Sequence, residues 1–333
     1  MIPRMQSFIT LDKKIGETPL SCAEAWREAE GLDMDIPLAY AGRLDPMASG
    51  KLLVLIGDEC KNQTNYHNLD KAYDFSVLFG IESDSLDVLG RLNACEDVRN
   101  QPSDRLRLGQ AARSGLSEGL VADKPNKGPI SNGVQETNLG QATPEMRPTA
   151  SLEGDAFMSQ PGLIRNLSLI AQGLIGKIEL PYPRFSAKTV QGKPLHMWTL
   201  EGRLDEIEIP TKESEIYSLE LTKLETLTRK QVADQARAKI DTIPEVTDPR
   251  KALGKDFRRT DVRQDWENLK NDDSLPEQYL VAHFHCIASS GTYMRTLASV
   301  IAGKLSTCGL AWHIHRTEIG SFDPKSKTWP KQF

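Results

Sequence analysis

The sequence lacks an excess of positive charge. Its 41 Lys and Arg are outnumbered by 46 Asp and Glu, for a formal net charge of −5. A module built only to coat nucleic acid is usually strongly basic, so a polyanionic partner must be met by a local basic cleft rather than by the whole surface. Cysteine is sparse and scattered: Cys22, Cys60, Cys95, Cys286 and Cys308 show no CxxC spacing. That odd, dispersed set argues against a disulfide framework and against a thiolate zinc site, and a reducing cytoplasm is its natural setting. No apolar run approaches a membrane span. The opening MIPRMQSFIT has no hydrophobic stretch of signal-peptide length. Aromatic residues make up only 6% of the chain, and from about Asn93 to Ala156 there are none. That stretch is rich in Gly, Ser, Asn, Gln and Pro. It has little with which to offset ordering entropy, and reads as a long, flexible insertion.

What is present, 39% hydrophobic and 26% charged residues over 333 positions, suits a globular protein with a sizeable core. Residues 6–12 read as a short strand, and 21–30 as a helix with Ser21 as N-cap. The apolar run 51–57, bounded by Gly50 and Gly57, reads as a buried strand, and 71–80 as another. Regular structure resumes near Gly162 with a helix and then the strand GKIEL. QGK at 191–193 reads as a turn before a helix begun by Pro194. Strands are expected at 216–226, 279–288 and 311–320, and a helix at 292–305 with Met294, Leu297, Ile301 and Leu305 near one face. The segment 229–277 is polar and charged and reads as a helical second insertion with a solvated face. The fold class is therefore α+β, one domain interrupted twice: 1–92 with 157–325, and insertions at 93–156 and 229–277.

The segment that carries chemistry is Ala39-Tyr40-Ala41-Gly42-Arg43-Leu44-Asp45-Pro46-Met47-Ala48-Ser49-Gly50. It reads as a loop that presents one carboxylate ahead of a buried strand. Pro46 fixes the backbone after Asp45, and Gly42 and Gly50 allow something bulky to come close. An Asp-Pro in a loop is by itself more often turn chemistry than a site.

Four blocks in order change that weight. GRLDPMASGKLLVLIGDECK resembles the pattern G-x-LDP-x-A-[ST]-G-x-L, a strand, then G-x-x-x-K, of the tRNA uridine-55 (TruB-type) pseudouridine synthases. Leu11-Asp12-Lys13-Lys14-Ile15-Gly16-Glu17-Thr18 resembles that family's LDKPxGxT block. Lys71-Ala72-Tyr73, then Gly80 and Ser83-Asp84-Ser85-Leu86-Asp87-Val88-Leu89-Gly90, resembles K-x-Y…G-x-x-T-D-T-x-D-x-x-G. Ser290-Gly291-Thr292-Tyr293-Met294-Arg295-Thr296-Leu297 resembles the GTYIR[TS]L block.

The resemblance implies a pseudouridine synthase fold, a mixed and mainly antiparallel central sheet flanked by helices beside an active-site cleft. It implies isomerisation of a uridine in RNA, most directly in the tRNA T-arm. It assigns Asp45 as nucleophile, Arg295 as the cation that orients it, and Tyr73 as the active-site tyrosine against a flipped-out base. Lys13, Tyr40, Gly42, Arg43, Leu44 and Lys71 are the expected substrate-binding residues, with Lys14 and Lys51 as further phosphate candidates. It implies no cofactor, no metal, no membrane, tRNA as partner, and a cytoplasmic monomer.

There are departures. Tyr40-Ala41 stands where the family has His-Thr, Lys14 where it has Pro, and Phe185 where it has Tyr. Lys188 falls one place early, which on a strand would turn it to the opposite face. Few residues follow Gly320, so the family's C-terminal RNA-binding domain is not expected. Two rival readings follow: an RNA-binding or RNA-folding protein on the same scaffold without catalysis, and a synthase for another RNA, suggested by Arg43. His283-x-His285 and His313-x-His315 put two imidazoles each on one strand face. Without acidic or cysteine partners at supporting spacing they read as packed or part-exposed histidines rather than a metal site.

Overall fold

The computed structural model describes residues 7–93, 95, 160–244 and 258–333. Thirteen strands are named in chain order: β1 Phe8–Lys13, β2 Leu38–Ala41, β3 Ser49–Ile56, β4 Asp70–Phe79, β5 Glu82–Ser83, β6 Leu92–Asn93, β7 Gly176–Pro181, β8 Thr189–Val190, β9 Lys193–Pro194, β10 Thr211–Thr228, β11 Gln278–Ala288, β12 Gly309–Asp323 and β13 Thr328–Gln332. The helices are α1 Pro19–Ala29, α2 Gln160–Gln172, α3 Leu195–Leu200, α4 Arg229–Asp241, α5 Arg259–Asn271 and α6 Met294–Lys304. All but β5, β6, β8 and β9 form one sheet in the order β1-β3-β12-β4-β11-β10-β7, with β2 beside β3 and β13 beside β12. Every pairing in it is antiparallel except β12 with β3. The mixed, mainly antiparallel sheet flanked by helices is the α+β architecture expected.

Local chemistry explains the elements. α1 starts two residues earlier than expected: Thr18 is the N-cap, and Ser21 sits at the third helical position and closes a capping box with it. Gln191 and Gly192 have φ of 49° and 81°, the left-handed pair that a two-residue hairpin needs, so β8 and β9 pair across them. Pro194 stands as N-cap of α3. Lys188 lies outside any strand, with its ammonium 5.1 Å from the centre of the Tyr182 ring. β2 lies inside what reads as loop, because four residues are too few to show a strand's alternation. The strand at 311–320 is not the last; β13 follows and pairs back on β12.

Helices α2, α4, α5 and α6 share one main core with the sheet. Met294, Leu297 and Ile301 are buried in it as their spacing indicated, and Leu305 packs against it half-buried. α1 packs Cys22 and Ala23 on Leu52 and Val54.

The charged stretch 229–277 holds α4 and α5. Val262, Trp266 and Leu269 form an i, i+4, i+7 stripe that is buried, as are Val232, Ala233, Ala236 and Ile240 of α4. The charged faces pair with each other rather than only facing water: Lys270 with Asp234 at 2.6 Å, Arg263 with Asp241 at 2.6 Å, and Arg237 with Glu267. The 93–156 segment, apart from Asn93 and Cys95, lies outside the described residues. Cys95 is bonded to Cys308 with a Cα–Cα distance of 5.7 Å. The scattered cysteines gave no sign of this pair, since spacing cannot show that residues 213 apart meet.

Candidate active site

The loop between β2 and β3 is fixed by glycine geometry. Gly50 has φ 102°, and a Cβ there would lie 2.2 Å from the carbonyl oxygen of Arg316. This is where β3 and β12 run parallel, pairing His315 with Ser49 and Arg316 with Gly50. The bulky neighbour that Gly50 admits is thus β12 itself. Gly42, at φ 79°, faces the side chains of Arg316 and Lys71, each 3.4 Å from its would-be Cβ. The loop is also tied from the other side: the Gly16 N–H donates to the Pro46 carbonyl at 2.9 Å.

Asp45 therefore stands in a cleft of about 790 Å³, with Tyr73, Lys71, Asp87, Arg295 and Arg316 among its lining. That volume lies within the ~300–1,000 Å³ usual for ligand sites. The Arg295 Nε is 2.8 Å from Asp45 Oδ2. Its N–H points off that line, so the contact is an ion pair without a straight hydrogen bond. The Arg295 side chain is 4% exposed and that of Asp45 40%, so the carboxylate is charge-compensated from behind yet open in front.

Arg295 lies in the first turn of α6, and both of its terminal nitrogens are hydrogen-bonded. Its Nη1 donates to the Ser85 carbonyl at 2.8 Å and its Nη2 to the Phe185 carbonyl at 3.1 Å. A second carboxylate, Asp87, lies 3.7 Å from Nε. Burial works against the Arg295 charge, but Asp45 and Asp87 more than offset it and hold its pKa above the ordinary value. Asp87 is buried. Burial pushes its pKa up, while Arg295 and the Ser85 hydroxyl, at 2.6 Å from Oδ1, pull it back.

Tyr73 is half-buried on β4 opposite Arg316 of β12. The guanidinium lies against the phenol, and burial raises the Tyr73 pKa while Arg316 opposes that rise. Arg316 is 1% exposed and pins the loop, donating from Nε to the Lys51 carbonyl at 2.7 Å and from Nη2 to the Gly42 carbonyl at 3.1 Å.

The remaining sequence candidates divide. Gly42, Arg43, Leu44 and Lys71 line the cleft. The buried Lys71 ammonium donates to the Leu69 carbonyl, and burial, with Arg316 beside it, lowers its pKa to about 8. Lys13 is fully buried, and its ammonium donates to the carbonyls of Lys14 at 2.9 Å and Glu17 at 2.7 Å. Burial brings its pKa down to about 8. Tyr40 packs on the α1 side against the Cys22–Leu52 cluster. Lys14 pairs with Asp12, and Lys51 with Glu318. Three residues of this site were not among the sequence candidates: Asp87, Arg316 and Phe185. Asp87 and Phe185 stand inside segments compared with the family; for Arg316 nothing in the linear pattern marks a strand Arg as buried. Among the described residues no three His, Cys, Asp or Glu groups converge as a metal site.

An open carboxylate backed by a buried guanidinium, with a phenol beside it in a ligand-sized cleft, is the layout of an enzyme site. Residues 37–114 match the family model described as TruB family pseudouridylate synthase, N-terminal domain. A protein of Caldicellulosiruptor saccharolyticus named tRNA pseudouridine synthase B is 23% identical over 322 residues, covering 97% of this chain and 70% of that protein. One of the same name from Trichormus variabilis is 26% identical over 217 residues, 65% of this chain and 51% of that protein. A third, from Zymomonas mobilis, is 37% identical over 98 residues, 28% of this chain and 32% of that protein. A solved Cbf5-Nop10-Gar1 complex is similar at a TM-score of 0.42 and 13% identity, over 94% of this chain and 48% of that one. The chain is thus similar to the TruB family of pseudouridine synthases over residues 37–114 and, at low identity, to proteins named tRNA pseudouridine synthase B over most of its length. It spans from about a third to seven tenths of the length of these relatives.

Proposed function

We propose that the protein converts a uridine in RNA to pseudouridine, with tRNA as its substrate and uridine 55 of the T-arm as the position. The single observation that carries the reading is the Asp45–Arg295 pair in the cleft, 2.8 Å apart, with only the carboxylate open to it. The names of the relatives supply tRNA. In this reading the target nucleotide leaves its stack to reach the cleft and lies against Tyr73. The Asp45 carboxylate forms a transient bond to one fragment while the N1–C1′ bond breaks. The base turns, C5 bonds to C1′, the proton leaves C5, and N1 ends protonated. No electrons are gained or lost, so no cofactor is called for. Arg295 keeps Asp45 ionised and oriented, and the Tyr73 hydroxyl is placed for proton transfer.

The test is pseudouridine mapping on an unmodified tRNA transcript incubated with wild type and with Asp45→Asn. The expected outcome is a new pseudouridine in the T-arm with wild type, and a loss of at least ~10⁴-fold in the variant, the scale seen on removing a nucleophile. Full product with Asp45→Asn would sink the mechanism. Product only at a site in another RNA would replace the substrate. Tight RNA binding with no product in any RNA would favour the non-catalytic reading.

A further inference from the structure

Arg258, immediately before α5, has φ 63°, a conformation that costs a non-glycine residue energy and is kept only where the surroundings enforce it. Among the described residues its guanidinium has two partners. Nη2 donates to Asp84 Oδ2 at 2.6 Å, and the guanidinium carbon lies 4.8 Å from the centre of the Phe185 ring. Both side chains of the ion pair are more than three-quarters covered, so it is shielded more than a surface pair.

These partners adjoin the two carbonyls that hold Arg295. Ser85, whose carbonyl accepts from Nη1, follows Asp84 directly; Phe185 carries both the ring under Arg258 and the carbonyl that accepts from Nη2. Arg295 thus ties two distant chain segments together, and Arg258, which also lines the cleft, ties the same two. The helix behind Arg258 is anchored on the same block. Trp266 donates from its indole to the Val88 carbonyl at 3.1 Å, and Arg91 pairs with Asp265 at 2.6 Å.

We propose that Arg258 is a positioning residue for the Asp45–Arg295 pair. By fastening Asp84 to the Phe185 ring it sets the two carbonyls that aim the Arg295 guanidinium, and so couples the helical segment between β10 and β11 to the geometry of the site. The inference rests on the functional reading above, since the effect it describes is on the same ion pair. A stacked arginine at a cleft also suits direct contact with RNA, and the experiment separates the two roles.

Arg258→Ala, Arg258→Lys and Phe185→Leu are compared with wild type by single-turnover pseudouridine formation at saturating tRNA, by tRNA Kd, and by hydrogen exchange of the Arg295 Nε–H. Positioning predicts a rate constant about tenfold lower in Arg258→Ala with Kd within about twofold. Arg258→Lys, which keeps the charge opposite Asp84 but not the planar stack, recovers part of the rate. Exchange at Arg295 is faster in Arg258→Ala and Phe185→Leu. Should Arg258→Ala fail to fold, Arg258→Lys and Phe185→Leu carry the same comparison. An unchanged rate constant, or a loss confined to Kd, overturns the proposal. If wild type makes no pseudouridine in any RNA, the functional reading falls first, and the exchange measurement still decides whether Arg258 holds Arg295.

Discussion

The two faces of the sheet can be compared row by row, because β11, β4 and β12 run side by side in fixed register. In one row Cys286, Tyr73 and Arg316 stand opposite one another; in the next row His285, Asp74 and His315 do. Successive residues of a strand point to opposite faces, so one residue of shift separates the cleft from the back of the sheet. The back carries the richer display of titratable groups. His285 pairs with Asp74 at 2.7 Å and His283 with Glu225 at 2.9 Å, and the His313 and His315 rings are 6.4 Å apart. Yet those groups are only part-buried or exposed, whereas Arg295, Arg316, Lys71 and Asp87 on the cleft side are all buried. The comparison teaches that a site is marked less by which ionisable residues are present than by which ones the fold desolvates against each other.

The comparison can be broken by substitution on each face. The largest effect is expected in front. Arg295→Gln leaves Asp87 buried and Asp45 without its counter-charge. Breaking a buried pair in this way costs ~3–5 kcal/mol, read as a lowered denaturation midpoint along with loss of pseudouridine formation. A variant as stable as wild type would show that the cleft charges are no more coupled than those behind.

An intermediate effect belongs to His313, which burial holds down to a pKa of about 4 from an ordinary 6.5, with Lys239 and His315 adding to the fall. Its folded value lies below its unfolded one, so between these two values the unfolded chain binds the extra proton. Stability that is complete above about pH 6.5 is then lost as the pH falls toward 4. His313→Gln is expected to flatten that part of the curve of denaturation midpoint against pH, and an unchanged curve would contradict it.

The smallest effect is expected from His285→Ala, which removes a half-exposed pair worth ~0.2–1 kcal/mol. Its pseudouridine yield should match wild type; a loss of activity there would make the two faces functionally alike.

Much of this arrangement was legible in the chain. The alternation in 71–80 and 279–288 gave the strands, and the short blocks around Asp45, Tyr73 and Arg295 placed three residues that the structure brings into one cleft. What was not legible depends on register and on long-range packing. A strand Arg such as Arg316 looks solvent-facing until its neighbour across the sheet is known. Lys13 looks like a free basic residue until the turn that wraps its ammonium is seen. The charged run 229–277 looks like a solvated face because its apolar stripe is thin, and because the partners of its charges lie on the other helix of the pair.

The parallel contact at Gly50 bears on how the molecule assembles. β3 and β4 adjoin in sequence but not in the sheet; β12 lies between them, meeting β3 where the Ser49 hydroxyl bonds His315, 266 residues away. Contacts of such separation must overcome loop-closure entropy before they return any stabilisation, and they slow folding. β3, which follows Asp45, and β4, which carries Tyr73, join one sheet only through β12. Active-site formation is thus expected to report a late folding event, trailing the local helices and hairpins in a refolding experiment.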